Sequence, residues 1–135
     1  METLERGSVT TAEGLHGDFR GGLAATRPRR KRQVSLLEAN SWRAAMAETG
    51  GFLEWWHSRR NLLLEGVRLP RAAGTRLRVG IGLVIEITGE CDPCARMDAL
   101  HEGLRAALTP DWRGGFVGRV IDDGEIAVGD EVRIL

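Results

Sequence analysis

The stretch from Arg76 to Thr88 constrains the fold most. Leu77, Val79, Ile81, Leu83, Ile85 and Ile87 recur at every second position, with Arg78, Glu86 and Thr88 on the opposite side. A period of two belongs to a strand with one buried face and excludes an amphipathic helix. Gly80 and Gly82 fall on the second face and predict a bend that splits the run into two strands. Directly after it, Gly89 to Asp98 carries the chemistry of a helix start. Asp92 is expected as the N-cap and Pro93 at the first helical position. Met97, Leu100, Leu104, Ala107 and Leu108 then recur at helical spacing, Gly103 divides them into two short helices, and Pro110 ends them.

Around this centre the signals are short. A short strand is expected near residues 4–10, although 1–13 and 27–32 read mainly as loop or flexible chain. Gln33 to Leu37 reads as a strand, Glu38 to Glu48 as a helix ended by Gly50-Gly51, and Phe52 to His57 as a further helical turn. Asn61 to Glu65 is another apolar run. Phe116 to Ile121, Ile126 to Val128 and Val132 to Leu135 predict antiparallel strands, with turns at Asp123-Gly124 and Gly129-Asp130. With 135 residues, the chain fits one domain. The expected class is predominantly β with short helices, a β-barrel with helices over its openings.

Zero formal net charge removes any bulk attraction to nucleic acid or membrane. Every basic residue except Lys31 is arginine. Pyridoxal phosphate is therefore not expected, because its Schiff base needs a lysine and Lys31 sits in a charged run. The basic run Arg27 to Arg32 has no interleaved aromatic residue, which argues against RNA binding. No apolar stretch approaches a membrane span, and residues 1–6 do not read as a signal peptide, so the expectation is a cytoplasmic protein.

The segment Gly89 to Asp98 holds both cysteines, Cys91 and Cys94. Backbone donors and the positive end of a helix lower the pKa of a thiol placed there, and Arg96 adds to that if it faces the sulfur. Cys94, inside the first turn, is the better candidate for a reactive thiolate, and a soft thiolate suits a thiophilic transition metal. Structural zinc needs four ligands, and there is no second CxxC or paired histidine. A thioredoxin-like pair lacks its βαβ frame. Two buried cysteines without a task fit the local sequence equally well.

Four other clusters carry polar chemistry. Asp18 and Arg20 lie in a glycine-rich loop, His16 to Gly22, that suits close backbone approach to an anion or a surface turn. Arg59-Arg60-Asn61 suits phosphate or amide hydrogen bonding, or simply solvated surface. Arg32 closes the basic run. Arg113-Gly114-Gly115 is a tight loop entering a strand.

In order along the chain, these pieces resemble the MOSC family, the module related to the C-terminal domain of molybdenum-cofactor sulfurase. The matching pieces are Gly17-Asp18, Arg32 to Leu36, Arg59 to Leu62, Gly66-Val67, Glu90 to Asp98 with Pro93-Cys94, Arg113 to Gly118 and Gly129-Asp130. The resemblance implies a MOSC-type β-barrel spanning most of the chain. It also implies a molybdenum cofactor (molybdopterin), with Cys94 as the metal ligand beside the pterin sulfurs.

The same resemblance implies a molybdenum-dependent oxidoreductase that reduces N-hydroxylated small molecules. Cys94 and Asp98 would be its catalytic residues. Asp18, Arg20, Arg32, Arg59, Arg60, Asn61, Arg96, Arg113, Gly114 and Gly115 would bind the cofactor, with Arg32, Arg59 and Arg60 on its phosphate. Phe19-Arg20 stands where relatives often show a histidine. No flavin, haem or iron–sulfur motif is present, so electrons for such an enzyme would need a separate donor protein. A homodimer is compatible with the sequence. The alternative is a carrier that holds a persulfide on Cys94 or hands on the cofactor without turnover.

Overall fold

The computed structural model describes residues 6–10, 14–15 and 33–135. Asp18, Arg20 and Arg32 lie outside the described residues, as does the run 27–32. The alternation from Arg76 to Thr88 becomes two antiparallel strands, β5 (Arg76–Val79) and β6 (Leu83–Glu90), joined at Gly80 to Gly82. Gly80 takes φ 67°, a left-handed conformation that favours glycine. Leu77, Val79, Leu83, Ile85 and Ile87 face the core as expected. Ile81 does not: it sits at the tip of the hairpin and is 99% exposed. Alternation counts positions along a straight strand, and the tight turn takes Ile81 off the buried face.

β5 and β6 belong to a six-stranded sheet with the order β4-β3-β7-β6-β5-β9. Its other members are β3 (Val34–Glu38), β4 (Leu62–Leu64), β7 (Phe116–Asp122) and β9 (Val132–Ile134). The sheet curls into a half-barrel, with β3 and β4 as its parallel pair. A smaller sheet joins β1 (Arg6–Thr10) and β2 (Gly14–Leu15) to β8 (Gly124–Ala127). The C-terminal strands are antiparallel, but they do not pair with one another as their turn signals suggest. β7 lies between β3 and β6, β8 pairs with β1, and β9 pairs with β5. Asp123-Gly124 therefore switches the chain between sheets.

Helix α1 (Ala39–Thr49) ends on Gly50 at φ 69°. A 3-10 turn spans Trp55–Ser58. Helices α2 (Ala95–Leu100) and α3 (Leu104–Leu108) are divided at Gly103, φ 85°. The N-cap of α2 is Cys94 and not Asp92, and Pro93 precedes the helix. Pro93 has no N–H to continue the β6 ladder, so the chain stays extended one residue further before it turns.

The core has two parts. One lies against the large sheet and includes Leu36, Leu77, Ile85, Ile87 and Phe116. The other joins Leu37 and Trp42 to Met97, Leu104 and Leu108. Each such fully buried side chain contributes about 1.5–3 kcal/mol. β3 serves both parts, since Leu36 and Leu37 point to opposite faces. That two-sided burial fixes the strand and, through it, the loops at its ends.

Candidate cofactor site around Cys94

Strand β6 delivers the cysteine segment. Its ladder with β7 continues past Glu90, because the Cys91 N–H donates to the Gly115 carbonyl at 2.9 Å. Cys91 is 1% exposed and Pro93 is buried, whereas Cys94 is exposed. The strand thus anchors one cysteine in the core and presents the other at the start of α2. The Cys94 thiol is held below its ordinary pKa, chiefly by the backbone N–H of Arg96, with the Arg96 and Arg60 guanidiniums adding to the effect against some desolvation. These are the helix-start donors and the neighbouring cation expected to favour a thiolate.

Two arginines converge on one carbonyl. The 3-10 turn ends on Arg59 at φ 61°, which leaves Ser58 buried. The Ser58 carbonyl accepts from Arg60 Nη1 at 3.0 Å and from Arg96 Nη2 at 3.2 Å. Arg60 is itself 4% exposed, and its Nε donates to the Gly114 carbonyl at 2.8 Å. Arg59 is exposed; its backbone N–H donates to the Trp56 carbonyl at 3.0 Å, and its side chain makes no hydrogen bond or ion pair among the described residues. Arg60 therefore braces the segment from within and Arg96 links it to α2, while the Arg59 side chain is exposed.

Other expected site residues are engaged elsewhere. Asn61 ties β4 to β3: its Oδ1 accepts from the Ser35 N–H at 2.8 Å, and its own N–H donates to Ser35 Oγ at 3.0 Å. Arg113 turns toward the helices, pairing with Glu48 at 2.8 Å and donating to the Ala107 carbonyl at 3.1 Å. The Asp98 carboxylate accepts from the Arg105 N–H at 3.0 Å, near the start of α3. Gly114 and Gly115 leave no open cradle. A Cβ on Gly114 would lie 2.6 Å from the Cys91 carbonyl oxygen, and one on Gly115 would lie 2.2 Å from that of Leu36. Their missing side chains serve the close packing of this loop against the thiol segment and β3.

Sequence reasoning missed a buried ionic group behind the site. Glu38, 3% exposed, accepts from Arg71 Nη1 at 2.7 Å and Nη2 at 2.5 Å, and from the Leu69 N–H at 2.6 Å. A glutamate closing an apolar strand was the available signal, since a buried carboxylate requires a cation and donors. An apolar groove of about 600 Å³ runs beside α1, lined by Trp42, Met46, Phe52 and Leu53. Cys94, Arg59, Arg60 and Arg96 do not line it.

The MOSC domain family model matches residues 16–133. The chain belongs to the MOSC family. Among solved structures, this MOSC domain is similar to the YuaD protein of Bacillus subtilis, with TM-score 0.78 and 20% identity over 98% of this chain and 86% of that one. It is also similar to YiiM of Escherichia coli, with TM-score 0.72 and 15% identity over 100% of this chain and 64% of that one. For YiiM of Geobacillus stearothermophilus the values are 0.65 and 17%, over 77% and 54%. The domain thus spans less than two thirds of either YiiM chain, and at these identities the likeness concerns the fold. No curated protein matches it. No helix among the described residues is long and apolar enough to cross a membrane.

The residues present fit a molybdenum–pterin group in one specific way. Among the described residues, no group of three or more His, Cys, Asp or Glu could hold a bare metal ion. A metal that arrives already chelated needs little from the protein beyond one soft ligand and cations for its anionic tail. Cys94 is a soft ligand by type and is exposed, Arg96 lies beside it, and the Arg59 side chain is exposed.

Proposed function

We propose that this MOSC domain binds the molybdenum cofactor through the Cys94 thiolate and reduces N-hydroxylated small molecules. Electrons come from a separate donor protein. The observation that carries this reading is the exposed Cys94 thiol at the start of α2, held toward its ionised form beside Arg96. Family membership supports the same reading. When bound, the cofactor would supply the redox chemistry for oxygen removal from the substrate. Cys94 Sγ is the protein's ligand. Arg96 and Arg59 hold anionic groups of the cofactor, while buried Arg60 fixes the carbonyls beneath them. The packed Gly114-Gly115 loop keeps the thiol segment in place.

The test is the molybdenum content of protein purified from a cofactor-competent host, wild type against Cys94→Ser, together with reduction of an amidoxime or hydroxylaminopurine. Stoichiometric metal that disappears in the variant, with reductase activity, supports the proposal. An exposed, readily ionised thiol also suits a sulfur carrier, so sulfane sulfur on Cys94 without molybdenum would favour that second reading. Neither metal nor sulfur would overturn both.

A further inference from the structure

The turn from Pro110 to Gly115 joins α3 to β7 and forms the wall behind the cysteine segment. Its backbone is unusual. Asp111 has φ 51° and Trp112 φ 54°, both in the left-handed region although neither is glycine, and Gly115 follows at φ 107°. Non-glycine residues held there cost about 1–3 kcal/mol each and persist only where surrounding contacts impose them.

The contacts that impose this conformation come from the far side of the turn. Arg71, whose side chain is 13% exposed, grips buried Glu38 with both terminal nitrogens. Its Nε donates to the Asp111 carbonyl at 3.2 Å and lies 3.5 Å from the Asp111 carboxylate. Arg68 Nη2 holds the same carboxylate at 2.8 Å. The Arg71 guanidinium also lies 5.2 Å from the centre of the Phe116 ring, and Trp112 packs on that ring at 5.5 Å. On its near side the turn meets the site. Gly115 accepts from the Cys91 N–H, Gly114 packs on Cys91 and Pro93, and the Gly114 carbonyl takes Arg60 Nε.

The geometry points to Arg71 and Asp111 as positioning residues for Cys94: anchored on buried Glu38, they hold the 110–115 turn in its strained form, and that turn fixes the Cys91–Pro93 backbone from which Cys94 projects. Neither residue touches the thiol. The inference rests on the proposed cofactor role only for its purpose, since the mechanical linkage stands in the metal-free protein. An ion pair kept solely for stability would not need to reach a strained turn, whereas one that sets a backbone must.

Hydrogen exchange at the Cys91 amide reads the linkage directly in the full metal-free chain. Asp111→Gly removes the carboxylate and accepts a positive φ, so the fold is kept while the ion pairs with Arg68 and Arg71 are lost. Exchange at Cys91 is expected to quicken about tenfold, with the Ile87 amide, bonded to Thr75, unchanged. Asp111→Asn, which tolerates the same backbone and keeps an acceptor, is expected to restore the wild-type rate. Arg71→Lys loses the planar fork and should behave like the glycine variant.

Unchanged Cys91 exchange in Asp111→Gly would overturn the inference, as would equal acceleration at Cys91 and Ile87, which marks a purely global effect. Molybdenum content of the wild type separates this outcome from the fate of the cofactor proposal. Loss of Cys91 protection in protein that never carries metal leaves the linkage intact and removes its proposed purpose.

Discussion

Arg60 and Gly114 stand 54 positions apart, and the Arg60 Nε donates to the Gly114 carbonyl at 2.8 Å inside the protein. The same guanidinium bonds the Ser58 carbonyl, so one buried side chain ties the 3-10 turn to the loop that backs the cysteines. Arg60→Met is expected to lower stability by about 1–3 kcal/mol, because it leaves the Gly114 carbonyl without that donor in a buried setting. Arg60→Lys should recover less than half, since an ammonium cannot reproduce the fork. Chemical denaturation of the two variants beside wild type checks both.

Cys94 should alkylate with a pH midpoint below the 9.0 of an unperturbed thiol, because the Arg96 N–H and the arginine charges favour the thiolate. Arg96→Ala keeps the backbone N–H and removes the guanidinium, so the midpoint should rise part of the way back. Iodoacetamide rates across pH measure this. A midpoint that does not move in the variant would show that the Arg96 side chain has no electrostatic role.

Two glycines with positive φ should respond differently to alanine. At Gly115 a methyl group meets the Leu36 carbonyl as well as an unfavourable φ of 107°, and the expected loss is at least about 2 kcal/mol. At Gly50, φ 69°, nothing lies within 4 Å of the added carbon, and the loss should stay near 1 kcal/mol. Thermal melts of Gly115→Ala and Gly50→Ala compare them.

Glu90 titrates above the ordinary 4.5 because of burial, with the Asp92 carboxylate adding to the effect. A carboxyl whose folded pKa is raised contributes stability that is complete below its unfolded value and is lost as pH climbs through the folded one. Glu90→Gln should therefore melt higher than wild type at neutral pH, with the gap closing below pH 4.5. Tm measured against pH gives the result, and a constant gap at every pH would exclude the titration of Glu90 as its cause.

Much of the frame was legible because it follows from local period and breaker residues. Leu77 to Ile87 marked the hairpin, Gly50 the end of α1, and Gly103 the break between α2 and α3. Ile81 escaped that logic because a tight turn is invisible to alternation. The pairings of β8 and β9 escaped it because Asp123-Gly124 specifies a change of direction and not a partner.

At the site, Cys94 could be picked out by its place at a helix start. Arg113 could not be separated from Arg60 on sequence, since which carboxylate or carbonyl an arginine meets is decided by chain folding over long separations. The Glu38–Arg71–Asp111 group is of the same kind: its members come from three distant segments.

The register of β1 against β8, from Arg6 with Ala127 to Val9 with Gly124, joins nearly opposite ends of the sequence. β2 covers only one edge of β1, so the other edge has no partner strand until residues 124–127 have been made. During synthesis that edge stays open while strands β3 to β7 of the six-stranded sheet are being made, and closing it is a late step of folding.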